Sequence, residues 1–215
     1  MNDVAGVLLG VTAVIAVVDW VAVATHRRLL EYVAKPLTTV GLLAVAMTVD
    51  PVHADVRAAF AVALVLSLAG DVFLMLPGDR WFVPGLASFL LAHLAYVAGF
   101  ALGPGSGAEL LIGVLVVLVV SVPMGVRLIR AVRRTRPELT VPVAAYVLVI
   151  AAMVASATGW GNAWAVAGAW LFFVSDALIG ETRFVRPEVP RWGPLAVIVT
   201  YHLAQAGLVV SLVHR

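Results

Sequence analysis

Ser67 to Tyr96 reads SLAGDVFLMLPGDRWFVPGLASFLLAHLAY. Two apolar runs flank a short polar corner at Pro77-Gly78-Asp79-Arg80; one run carries the carboxyl group of Asp71, the other the imidazole of His93. Each run is long enough, with its neighbours, to cross a bilayer as a helix. A carboxylate at that depth costs roughly 2.5–3.5 kcal/mol on insertion scales, so it marks a functional site by default. The rest of the chain is read for partners to these two groups.

Of 215 residues, 63% are hydrophobic and only 12% charged, about half the charge that soluble domains carry. Repeated apolar runs of near-helical-span length make this an all-α protein, a polytopic transmembrane bundle. Sustained two-residue alternation is missing, which argues against a transmembrane barrel. No polar stretch is long enough to form a second unit, so residues 1–215 are expected to form a single transmembrane domain. Cysteine is absent, which removes disulfides, thiolate metal sites and thiol nucleophiles. The net charge of +2 sits in connections between spans and reports topology, with no nucleic-acid footprint. The first run is expected to be a retained helix and not a cleaved leader, because Met1 to Asp3 lacks a basic residue and Asp19-Trp20 interrupts the run.

Eight spans fit, at about 4–24, 34–50, 57–76, 82–102, 109–128, 140–158, 163–181 and 192–213. Most connections carry breakers: Pro51, Pro77-Gly78, Gly103-Pro104-Gly105, Pro137, Gly159 to Asn162, and Pro187 with Pro190. Twelve of the fourteen basic residues lie in or beside the first, third, fifth and seventh connections; Arg57 and Arg215 are the exceptions. The positive-inside rule then puts these connections in the cytoplasm and both termini outside.

Depth follows from helical rise. Asp71 lies about 9 Å, Asp176 about 8 Å and Asp19 about 12 Å from the cytoplasmic boundary, and Lys35 enters from the same side. Three carboxylates and one ammonium on four helices are thus expected in one layer, with His93 and His202 deeper. A short echo links the halves: Ala69-Gly70-Asp71 with Val174-Ser175-Asp176, and His93-Leu94-Ala95-Tyr96 with His202-Leu203-Ala204-Gln205. Four spans per half would give a 4+4 parallel repeat with a site between the halves.

Asp71 and Asp176 are the leading catalytic candidates. Each follows a small residue (Gly70, Ser175) that admits close approach of a helix or ligand; the competing reading is a structural pairing, for instance with Lys35. Asp19 reads either as a site carboxylate or as an interfacial one. Lys35 reads as a counter-ion, or as a side chain snorkelling to head groups. His93 and His202 are read as hydrogen-bonded histidines ahead of metal ligands, since no close ligand pair accompanies either. Tyr96, Tyr146, Tyr201, Gln205, Thr38 and Thr39 are candidate polar lining. The serine-hydrolase elbow, the P-loop and the dinucleotide glycine pattern are all missing.

The same residues carry a family resemblance. Lys35-Pro36-Leu37-Thr38, Ser67 to Met75, Phe89 to Tyr96, Phe172 to Leu178 and Tyr201 to Gln205 resemble, in order, the motifs of YhhN-type lysoplasmalogenases. The resemblance implies about eight helices and a hydrolase that cleaves the vinyl ether of lysoplasmalogens to a fatty aldehyde and a glycerophospho-alcohol. It places Lys35, Asp71 and Asp176 on family motifs, with His93, Tyr201 and Gln205 matching less closely and Asp19 outside them. It implies a lysophospholipid substrate within membrane lipid, no nucleic acid, no cofactor and no metal, and a bacterial cell membrane as location.

The chemistry suits the residues. Protonating the β-carbon of a vinyl ether gives an oxocarbenium ion that water captures. This needs a carboxylic acid to donate and a carboxylate to steady positive charge, as in glycoside hydrolysis. Either aspartate fits either role. Two other readings stay open: a proton-coupled transporter or lipid-binding protein, and a zinc-dependent lipid hydrolase using His93, His202, Asp71 and Asp176.

Overall fold

The computed structural model describes residues 2–186, 188 and 190–213. Pro187 and Arg215, used above as breaker and in the charge count, lie outside them. Eight helices follow one another: α1 (Asp3–Ala24), α2 (Arg28–Thr48), α3 (Ala54–Met75), α4 (Phe82–Leu102), α5 (Gly107–Thr135), α6 (Thr140–Trp160), α7 (Ala163–Gly180) and α8 (Gly193–Val210). A π-helical turn, Glu181–Val185, continues α7. No strand occurs among the described residues. All eight helices are long and apolar enough to cross a membrane, and exposed Val7, Val14 and Val119 present the apolar outer face that lipid requires. The protein is an all-helical integral membrane protein.

Local signals set the ends. Asn2 accepts the Ala5 amide and Asn162 accepts those of Trp164 and Ala165, capping α1 and α7. Gly161 ends α6 at φ +73°, a left-handed turn that glycine adopts without a Cβ penalty. Two boundaries differ from the sequence reading by more than one helical turn. α2 begins at Arg28, not at 34, and runs through Pro36; proline removes one backbone hydrogen bond, which packed neighbouring helices tolerate. α5 continues to Thr135, not 128. Its arginines are good helix formers and complement the negative end of the helix dipole.

Consecutive helices pack as hairpins, α1 on α2, α3 on α4, α5 on α6 and α7 on α8. The α2–α3, α3–α4 and α4–α6 contacts recur four helices later as α6–α7, α7–α8 and α8–α2. Glycines allow the close crossings: a Cβ on Gly207 would stand 3.2 Å from the Cα of Gly168 across the α7–α8 contact. At one end, Asp79 receives Arg136 and Arg183, tying the third, fifth and seventh connections together. At the other, Asn2 donates to the Thr48 carbonyl, Val52 to that of Leu212, and Ser106 to that of Gly159. The basic connections therefore share one end of the bundle, and Asn2 and Leu212 share the opposite one.

Candidate active site

The intramembrane ionisable groups resolve into three clusters. The first surrounds Asp71, which is fully buried on α3. Lys35 lies 3.2 Å from Oδ1, while the Thr39 and Tyr201 hydroxyls donate to Oδ2 at 2.8 and 2.7 Å. Two donors come from α2, one turn apart, and the third from α8. One ammonium and two hydroxyls are a donor set matched to a carboxylate. Behind it, Tyr96 donates to Gln205 Oε1, and Gln205 Nε2 donates to the Tyr201 hydroxyl at 3.4 Å, so a polar chain crosses from α4 through α8 to α3. Tyr96 and Gln205 are the last letters of the two echoing stretches, and they meet each other directly.

The second cluster surrounds Asp176 on α7. The Tyr146 hydroxyl donates to Oδ2 at 2.7 Å, and His93 Nε2 stands 3.6 Å from the same oxygen. His93 Nδ1 lies 2.5 Å from the Phe89 carbonyl. That carbonyl can only accept, which assigns the ring proton to Nδ1 and leaves Nε2 of the neutral ring as an acceptor facing Asp176. The Asp176 side chain keeps 14% exposure and lines an apolar slot of about 70 Å³, together with Tyr146, Phe89, Leu86, Met124 and Leu74.

The third cluster joins Asp19 of α1 to α8. His202 Nε2 is 3.8 Å from Asp19 Oδ2, and the Trp20 indole N–H donates to His202 Nδ1 at 3.1 Å. Asp19 is fully buried and neither oxygen has a hydrogen-bond partner among the described residues.

Two expectations are corrected, and the zinc alternative is left without a ligand set. The histidines do not form a separate deeper layer: His93 stands 3.6 Å from Asp176 and His202 3.8 Å from Asp19. A two-aspartate mechanism requires Asp71 and Asp176 on one cavity wall, and among the described residues they do not line a common cavity. The rings of Phe89 and Phe172 pack on Tyr201 at 5.8 and 5.4 Å, and Phe172 also packs on His93 at 4.5 Å, so aromatic rings fill the space between the two clusters. Gly70 makes room for this, since a Cβ there would strike the Phe89 ring at 2.6 Å. Finally, His93, His202, Asp71 and Asp176 do not converge, and no group of three or more metal-ligating His, Asp or Glu side chains occurs among the described residues.

A second cavity, of about 560 Å³, opens at the basic end. It is lined by Lys35, Arg28, Glu31, Tyr32 and His26, with Leu74 and the Pro77-Gly78 corner opposite. The first turns of α2 supply most of this polar lining, which the sequence reading had placed outside the span. Trp20 as the partner of His202, and Phe89 with Phe172 as a partition, were also missed. Trp20 stands next to Asp19, but nothing in the sequence points it at α8.

Residues 30–212 match the YhhN family. The human protein lysoplasmalogenase TMEM86B is 36% identical over 151 residues, covering 69% of this chain and 61% of its own length. A lysoplasmalogenase of Mycobacterium bovis is 33% identical over 163 residues, 70% of this chain and 60% of its own. Lysoplasmalogenase TMEM86A of Bos taurus is 29% identical over 162 residues, 71% and 64%. The chain thus spans about three fifths of the length of the curated relatives it matches. No solved structure matches it. With most of its length matched, and with Lys35, Asp71, Asp176 and His93 drawn together in pairs across four helices, the chain belongs to the YhhN family.

Proposed function

We propose that the protein hydrolyses the vinyl ether bond of lysoplasmalogen-like single-chain lipids, with Asp176 as the acid. The observation that carries this reading is the placement of one carboxyl group, steadied by a hydroxyl and an imidazole, on the wall of an otherwise apolar slot. The name borne by the human and mycobacterial relatives supports the same bond.

The Asp176 carboxyl transfers its proton to the alkene carbon remote from the ether oxygen, and the π pair forms the new C–H bond. The oxocarbenium ion that results is steadied by the adjacent carboxylate, which costs little reorganisation because Tyr146 already holds it. Water adds to the cationic carbon and its proton returns to Asp176. The hemiacetal then breaks its bond to the glycerol oxygen, which takes the hydroxyl proton, leaving a fatty aldehyde and a glycerophospho-alcohol. The Tyr146 hydroxyl occupies Oδ2, so the transferable proton sits on Oδ1, and His93 Nε2 stands beside the acid as an acceptor.

Asp71 enters as a positioning residue. It holds Lys35 at the floor of the basic vestibule, where with Arg28 the ammonium meets the lipid phosphate. Asp19, Tyr96, Tyr201, His202 and Gln205 support this frame. Incubating purified protein with a lysoplasmalogen and with its saturated-ether counterpart, and analysing products by mass spectrometry, tests the reading. Aldehyde from the vinyl ether alone is expected. Intact lipid of both kinds, or accumulation in vesicles without cleavage, replaces the hydrolase with a carrier.

We further propose that the basic end faces the cytoplasm, on the charge asymmetry of the connections. A reporter active only in the cytoplasm should then stay silent when fused after Arg215. A strong signal from an inserted fusion reverses the orientation.

A further inference from the structure

Three cavities meet at one side chain. Besides the polar vestibule and the apolar slot, a polar recess of about 170 Å³ lies beside Asp79, Trp81 and Arg183. Leu74 lines all three, and among the described residues it alone lines both the vestibule and the slot. It stands one turn beyond Asp71, next to the last residue of α3. Opposite it on α4 is Gly85, where a Cβ would lie 2.5 Å from Leu74 Cδ2. The isobutyl group is therefore seated in a notch that only glycine leaves open.

The two cavities it separates differ in chemistry. The vestibule is wide and carries Arg28, Lys35 and Glu31; the slot is narrow and nearly all hydrocarbon and aromatic. We infer that Leu74 is the specificity-determining partition of the site, seating a ligand with one polar head and one hydrocarbon chain so that its head fills the vestibule and its chain threads past Leu74 into the slot. The head–chain junction, where a vinyl ether sits, then lies between Lys35 and Asp176. This rests on the single-chain lipid reading for the choice of ligand, and not on bond cleavage.

Binding of saturated-ether lysophospholipids, which the proposed reaction leaves intact, provides the test. Affinities of a long-chain and a very short-chain probe for the full-length protein are measured by titration calorimetry, and each variant is compared with wild type. Leu74→Trp should weaken the long-chain probe by about tenfold or more, the loss expected when roughly two methylenes stay in water, and leave the short-chain probe unchanged. Gly85→Ala should act in the same direction by unseating Leu74, and adding Leu74→Ala to it should restore long-chain binding. Equal effects on both probes, wild-type long-chain binding in Leu74→Trp, or no rescue in the double variant overturns the partition. If wild type binds these probes as expected but releases no aldehyde from a lysoplasmalogen, the hydrolase reading fails and the partition stands.

Discussion

Replacing Asp176 by Asn lowers turnover by at least about 10²-fold, the lower end of what a positioned acid contributes, while binding of a saturated-ether lysolipid is unchanged. The amide keeps the shape of the carboxyl group. Its oxygen, set at the Oδ2 position, still accepts from the Tyr146 hydroxyl, so that contact survives. What the variant lacks is the acidic proton. Initial rates of aldehyde release, beside a melting curve for the detergent-solubilised protein, separate the two effects. Near-normal turnover in a well-folded variant removes Asp176 from the chemistry.

Replacing Lys35 by Met acts on stability first. Asp71 is fully buried while Lys35 keeps 15% exposure, so the variant leaves a carboxylate facing two hydroxyls without its cation. Breaking a buried pair by removing one partner costs 3–5 kcal/mol; the partial exposure of Lys35 argues for the lower end, about 3 kcal/mol. Adding Asp71→Asn removes the stranded charge, and the double variant should regain most of the loss. It should not regain turnover, because the vestibule still lacks its ammonium. Unfolding in detergent or denaturant reads the first effect and product formation the second. A single variant as stable as wild type shows that the pair carries no net stabilisation.

The helices were legible in the sequence because apolar length is a one-dimensional signal. Where that signal ends and helix continues in water, as over Arg28–Tyr32 or Arg127–Thr135, the boundaries slipped. Asp71, Asp176, Lys35 and His93 stood out because each is costly in hydrocarbon. The pairing of His93 with Asp176 did not, since the two are separated by two intervening helices in the chain. The wall of Phe89 and Phe172 was invisible for another reason. An aromatic residue in an apolar run looks the same whether it faces lipid, core or site, and ring packing alone decides that it separates the two aspartates.

The clusters also differ in when the ribosome supplies their members. Asp71 emerges after Lys35 and Thr39, so α2 and α3 can enter the bilayer as a hairpin with charge already matched. Asp176 likewise follows Tyr146 and His93. Asp19 is made early, in the first helix, and its nearest partner, His202, belongs to the last. Until α8 arrives, α1 holds a carboxyl group in the membrane with Lys35 of α2 as a cation in electrostatic range. Docking of α8 against α1 and α2 is thus the step that closes the bundle and commits the chain. A chain that ended before α8 would therefore leave its first helix the least secured of the bundle.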